Sequence, residues 1–254
     1  MLVQELSAVQ AVMAAAIIVV GGTVEGYGYG LSLGTKWPYT RSMPRLAKAG
    51  DPEVWHRLLS TLLGLNSLLI LVLDPSQLEW SGFILVVITA LLGLATLYVL
   101  SGKAPSIFQG LHDVLAYSTL LAYMMIAAGM GMGFPQYVAG MAPILLFYPV
   151  IFMGGVVTGQ RGFQKAIGYF TVPRTKAQLV WVVHGLSVLA FILGLAAFFP
   201  LYGMALGLAA VQVVVGLLSY QAVNESAAKP GGLIPLHQLL TLMIIVAIFF
   251  GWQL

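Results

Sequence analysis

Apolar runs of about the length that crosses a hydrocarbon layer, roughly 20 residues, recur eight times along the chain. They lie near 7–24, 55–73, 80–100, 108–130, 138–158, 177–199, 202–222 and 233–252, with polar residues gathered between them. The first run leads at once into a Gly-rich stretch and not into a small-residue cleavage site, so it reads as a retained helix and not as a signal peptide. The composition agrees. Of 254 residues, 60% are hydrophobic and 7% charged, a balance that no water-soluble domain of this size keeps in solution. The prediction is an all-α integral membrane protein with eight transmembrane helices and nothing left over for a soluble domain.

Connections between the runs alternate in character. Short ones such as Leu73-Asp74-Pro75-Ser76 and Phe199-Pro200-Leu201-Tyr202 suit tightly packed antiparallel neighbours on one face. The long ones, 24–54 and 159–177, lie on the other face and carry aromatic, Pro and basic residues. Long loops of that kind bear function more often than short ones.

The chain also repeats itself weakly. His56 and His112 are 56 residues apart, His184 and His237 are 53 apart, and the two pairs are offset by 128 and 125 residues. Gly21-Gly22-Thr23-Val24 ends the first run as Gly154-Gly155-Val156-Val157 nears the end of the fifth, and Leu111-His112-Asp113 matches Leu236-His237-Gln238. Residues 1–134 and 135–254 are therefore expected to be two four-helix halves. An even number of helices per half gives both the same orientation in the membrane, a parallel repeat.

Two counts narrow the chemistry. Cysteine is absent, which removes disulfides, thiolate ligands, iron–sulfur clusters and covalent c-type haem attachment, so any cofactor must use His, Met or oxygen. The formal charge of +3 comes from cations in short loops beside membrane helices. Lipid headgroups or acidic cofactor groups are the expected partners, and nucleic acid is not.

Each histidine lies near the start of an even-numbered run, and all even-numbered runs start on the same face. Ionisable residues inside a membrane are costly and rare, so four in register argue for a shared job. Two imidazoles on facing helices of a four-helix core can ligate a haem iron from both sides, which gives His56 with His112 and His184 with His237. Zinc is the competing metal, but its sites want three or four converging ligands. A proton relay would be expected to spread through the membrane depth.

The first half carries more than ligands. In Asp51-Pro52-Glu53-Val54-Trp55-His56-Arg57, Asp51 reads as an N-cap and Pro52 as the first helical residue. Glu53 and His56 are then i and i+3 on one face, which hangs a carboxylate over the rim of a bound porphyrin, where it could stabilise positive charge or manage a proton. Arg57, at i+4, either pairs with Glu53 or holds a haem propionate. The second half has Trp181 where the first has Glu53, and Gly185 where the first has Arg57. That asymmetry suggests a reacting haem in the first half and an electron-transfer or structural haem in the second.

These residues resemble the haem A synthase family, membrane enzymes that oxidise a methyl group of haem O to the formyl group of haem A. Glu53-Val54-Trp55-His56-Arg57 is similar to the family's Glu-x-x-His-Arg, and the loop Gly28-Tyr29-Gly30-Leu31-Ser32 is followed, as in the family, by Trp37-Pro38. Weaker matches are Leu92-Gly93-Leu94-Ala95-Thr96, Gln212 with Gly216, and the Leu-His steps. The resemblance implies a substrate haem on His56 and His112, a resident haem b on His184 and His237, and Glu53 as the catalytic acid stabilising a carbocation-like centre. It also implies two oxidation steps with oxygen from water. Arg57, Trp37 and Arg41 are the expected propionate or loop contacts. Implied partners are a haem O synthase, a terminal oxidase and a quinone or other electron acceptor. The chain departs from the family in lacking the outer-loop cysteine pair, the Arg after His184 and a Cys-Pro-Asp-Trp-Pro-like run.

The rival reading is a non-enzymatic two-haem cytochrome or respiratory-complex subunit, which needs the histidines but has no use for Glu53. A small-solute transporter would be expected to show broken helices with polar residues at mid-membrane, and the interior helices are too apolar to favour one. Met124, Met125, Met130 and Met132 read as packing. Tyr27, Tyr29, Trp37 and Tyr39 read as interfacial anchors that could also line a haem entrance.

All eleven Lys and Arg residues fall on the histidine face, and the opposite face has only acids such as Glu5, Asp74 and Glu79. The positive-inside rule puts that face in the cytoplasm, and the resemblance puts it outside. Cations that neutralise propionates are placed by ligand chemistry and bias the rule. The expectation is a multi-pass cell-membrane protein with an external histidine face.

Overall fold

The computed structural model describes residues 1–251. Ten helices are present among them: α1 (Leu2–Gly26), α2 (Met43–Lys48), α3 (Pro52–Leu73), α4 (Gln77–Leu100), α5 (Ile107–Ala127), α6 (Phe134–Gly140), α7 (Ala142–Arg161), α8 (Lys176–Ala197), α9 (Gly203–Glu225) and α10 (Leu233–Gly251). All but α2 and α6 are long and apolar enough to cross a membrane, eight in all among the described residues. The protein is thus all-helical and multi-pass, as the hydropathy pattern predicts.

Two stretches differ from that prediction. The run 108–130 ends its helix at Ala127, and the run 138–158 starts its long helix only at Ala142, because the short α6 intervenes. Gly129, at φ 66°, turns the chain, a conformation that costs glycine little. Pro143 then stands at the start of α7, where its missing N–H costs no helical bond. Helix starts are otherwise locally encoded. Asp51 Oδ1 accepts from Glu53 N at 2.8 Å, and Thr175 with Gln178 forms a reciprocal capping box on α8.

The eight long helices form two rings. In one, α1 touches α3, α3 touches α4, α4 touches α5 and α5 returns to α1; in the other, α7, α8, α9 and α10 follow one another and α10 reaches α7. The rings meet where α1 packs on α10 and α5 on α7. Small residues make this seam possible. A Cβ on Gly22 would lie 2.9 Å from Gln238 Cγ, and one on Gly155 would lie 2.8 Å from the Gly110 Cα. Tyr117 donates to Gln238 Oε1 across the seam at 2.9 Å.

The core is not evenly spread. In α5 the buried residues cluster from Tyr117 to Ile126, and in α10 from Leu240 to Phe249. Both stretches lie at the ends away from the histidines. There Tyr117, Leu121, Tyr123, Met125, Phe147, Leu195, Ile245 and Phe249 pack into one apolar cluster. Met125 is fully buried in it while Met132 is exposed. The outer helices turn their apolar side chains to lipid: 11% of the most hydropathic stretch of α8 is buried inside the protein, against 61% of that of α5. The apolar packing of α5 and α10 is therefore densest away from the histidines.

Candidate functional site

Each histidine stands against a glycine of the helix preceding its own in the membrane. A Cβ built on Gly21 would lie 3.4 Å from His56 Cε1, on Gly93 3.3 Å from His112, on Gly154 3.4 Å from His184, and on Gly216 3.2 Å from His237. In every case the imidazole presents its Cε1–Nδ1 edge. The missing side chain lets the ring approach the helix backbone, which no other residue would allow as closely.

The approach fixes the tautomer for the first pair. His56 Nδ1 lies 3.2 Å from the Ile17 carbonyl and His112 Nδ1 lies 3.0 Å from the Thr89 carbonyl, each four residues before the facing glycine. A carbonyl only accepts, so Nδ1 carries the proton and Nε2 keeps its lone pair. Metal-bound histidines are oriented by this kind of second bond. Val150 holds the equivalent place for His184, but Nδ1 of His184 and of His237 is buried without a hydrogen-bond partner among the described residues. Gln212, four before Gly216, instead donates to the His237 carbonyl at 2.9 Å and to Thr241 at 2.7 Å.

His56 and His112 both line a cavity of about 590 Å³ inside the first ring, a volume in the range of cofactor pockets. Its walls are mostly apolar, with Gly21, Gly93, Leu63, Val86 and Leu97 among them. Glu53, Arg57 and Trp37 border it at the end nearest the membrane surface. Trp37 and Tyr39 are also exposed and line it, so they form part of its mouth. Arg41 is exposed in the connecting loop and is not among the lining residues.

Glu53 is buried and engaged on both oxygens. Arg57 Nη2 donates to Oε1 at 2.6 Å, while Ser32 Oγ and Leu33 N donate to Oε2 at 2.9 and 3.3 Å. Arg57 thus pairs with Glu53 across one turn of α3 and also lines the cavity. Its Nη1 also donates to the carbonyls of Lys36 and Pro38, at 2.5 and 3.3 Å. The Glu53–Arg57 pair therefore ties the loop between α1 and α3 over the cavity.

The corresponding position in the second ring is filled differently. Trp181, one turn before His184, stacks at 4.4 Å on Tyr220, one turn beyond Gly216, and Phe170 meets both edge-on at 5.8 and 6.4 Å. Tyr220 donates to the Gly168 carbonyl at 2.9 Å, and Gly168 N donates to Asn224 at 2.7 Å. An aromatic plug pinned to the loop thus lies one turn beyond the second histidine pair. The first ring has a charged, loop-bound wall at that level.

Sequence reading found the four histidines, Glu53, Arg57 and Trp37 but not the facing glycines as site residues, nor Arg161, Glu25 and Gln109, which also line the cavity. A signal for the glycines existed, since a glycine in a helix interior costs about 1 kcal/mol relative to alanine and needs a reason to be there. Among the described residues no group of three His, Asp or Glu side chains converges. No protein-family model, curated protein or solved structure matches the chain.

Proposed function

We propose that the chain is a haem-binding membrane oxidoreductase of the haem A synthase type, with haem O as substrate between His56 and His112 and a resident haem b between His184 and His237. The observation that carries this reading is the fourfold contact of an imidazole edge with a helix glycine. It sets each ring by its Cε1–Nδ1 edge, and for His56 and His112 the Nδ1 bond leaves Nε2 as the atom that would hold a haem iron. The largely apolar cavity that both first-ring histidines line fits a flat hydrophobic ligand. The two orphaned Nδ1 atoms of the second pair fit rings whose orientation a ligand on Nε2 completes.

The two rings are read as parallel repeats. Gly22 against Gln238 at one seam corresponds to Gly155 against Asp113 at the other, so in each Gly-Gly step the first glycine faces a histidine and the second admits the neighbouring ring. The asymmetry between rings supports a division of labour. The first site has an open mouth beside Trp37 and Tyr39, suited to a molecule that must enter and leave. The aromatic plug over the second suits a group that stays.

Within the first site, Glu53 keeps a fixed carboxylate on the cavity wall, one helical turn from His56, where it can stabilise positive charge developing on a porphyrin substituent. Trp37 and the loop limit water at the mouth. A resident haem b would supply one-electron exchange with an acceptor such as a quinone.

One observation favours the second reading, a two-haem electron-transfer cytochrome: two of the three bonds to the Glu53 carboxylate come from the loop and the third from Arg57, itself bonded to that loop, as a purely structural carboxylate would have. Pigment extraction with mass analysis separates the two. Haem O, haem A or a hydroxylated intermediate beside haem b supports the enzyme; haem b alone at both sites, with no conversion of added haem O, supports the cytochrome; no haem at all sinks both.

A further inference from the structure

Arg161 ends α7, a helix of the second ring, yet it lines the cavity of the first. Only 8% of the residue is exposed, and its Nε is buried with no partner among the described residues. Its nearest carboxylate, Glu25, stays 3.8 Å from Nη2, beyond hydrogen-bond length. Glu25 meanwhile accepts from Thr158 Oγ1 at 3.3 Å. A guanidinium carries five N–H donors and cannot shed its charge, so burying it without acceptors at bonding distance is costly.

The other charged groups at this end are committed elsewhere. Arg57 is bonded to Glu53 and to two loop carbonyls. Asp113 accepts from Gln109 at 3.0 Å and packs on Gly155. Arg161 is therefore the lining cation whose hydrogen-bonding capacity is unspent, and it stands at the same membrane level as the cavity mouth.

We propose that Arg161 anchors a carboxylate of the ligand held in the His56–His112 cavity, so that the first-ring site is completed by a side chain from the second ring. The inference rests on the haem reading, in which that carboxylate is a propionate. A carboxylate matches the planar fork of the guanidinium and can take two parallel bonds from it. Glu25, near one nitrogen only, offsets the buried charge while the ligand is away and leaves most donors to it.

The test titrates purified protein with haemin and with haemin dimethyl ester, following the binding step that His112→Ala abolishes. The parental protein should bind the acid roughly 10- to 100-fold more tightly than the ester, the range for hydrogen bonds to a charged group. Arg161→Gln should bind both with the parental ester affinity, and Arg161→Lys should recover part of the preference for the acid. Equal loss of acid and ester in Arg161→Gln would make Arg161 a structural residue and overturn the proposal. So would a preference for the acid that survives the substitution. Native mass spectrometry showing a phospholipid held by the parental protein and lost in Arg161→Gln, with no acid preference at all, would assign the residue to a lipid phosphate instead. Should neither porphyrin bind to the parental protein, the haem reading itself fails and takes this one with it.

Discussion

Arg57 Nη2 meets Glu53 Oε1 at 2.6 Å across one turn of α3, and both side chains are more than nine-tenths buried. The pair lies beneath the loop whose Ser32, Leu33, Lys36 and Pro38 it binds. It is at once a wall of the cavity and the fastening of its cover.

Glu53→Ala is expected to damage both functions, and they are separable. Leaving Arg57 buried without its partner costs about 3 kcal/mol, read as a lowered thermal midpoint in detergent. If Glu53 also stabilises charge on the substrate, conversion of haem O falls by roughly 10²–10⁴-fold. Glu53→Gln keeps the shape and can still accept from Ser32 and Leu33, but its amide N–H groups then face the Arg57 guanidinium, so stability recovers only in part and conversion does not recover. Near-parental conversion in Glu53→Gln would leave the carboxylate a structural role only.

The glycines offer a test that touches no ligand. Gly93→Leu places bulk where a Cβ alone would come within 3.3 Å of His112, so the ring is pushed from its place and one haem of two should be lost from the visible spectrum. Gly207, whose Cβ would meet nothing within 4 Å, is the control. Gly207→Ala should leave the spectrum unchanged and raise stability by about 0.5–1 kcal/mol. An unaltered spectrum in Gly93→Leu would refute the role given to the imidazole–glycine contact.

Removing His184 or His237 should strip the resident haem b, while removing His56 or His112 should spare it and abolish haem O binding. Haem counts per chain by pyridine haemochrome and mass analysis decide this. Full haem content with parental spectra in all four alanine variants would dismiss the histidines as ligands.

The absence of cysteine gives a clean background for topology. Lys103, exposed between α4 and α5, lies on the histidine face, and Phe199, exposed between α8 and α9, lies on the other. With the histidine face external, an impermeant maleimide should label Lys103→Cys on intact cells and not Phe199→Cys. The reverse pattern would mean that the charge rule holds here and that the cations are not a sample biased by ligand chemistry.

The periodicity of apolar runs determined the number of membrane helices, and local chemistry determined their starts: Asp51 caps α3 because its own side chain reaches the backbone N–H of Glu53 two residues on. The histidines were legible too, since four ionisable residues in register within apolar runs are hard to explain otherwise. These features depend on neighbours in sequence or on the cost of transfer from water, which a linear pattern records. Three others were decided only in the folded chain. Gly21 faces His56 across 35 positions of sequence, Arg57 turned to Glu53 and the loop and not to open space, and Arg161 came into the first cavity from the second ring. Each depends on how helices close into rings and where small residues let them touch, and packing of that kind is set by contacts between distant segments whose register no local pattern states.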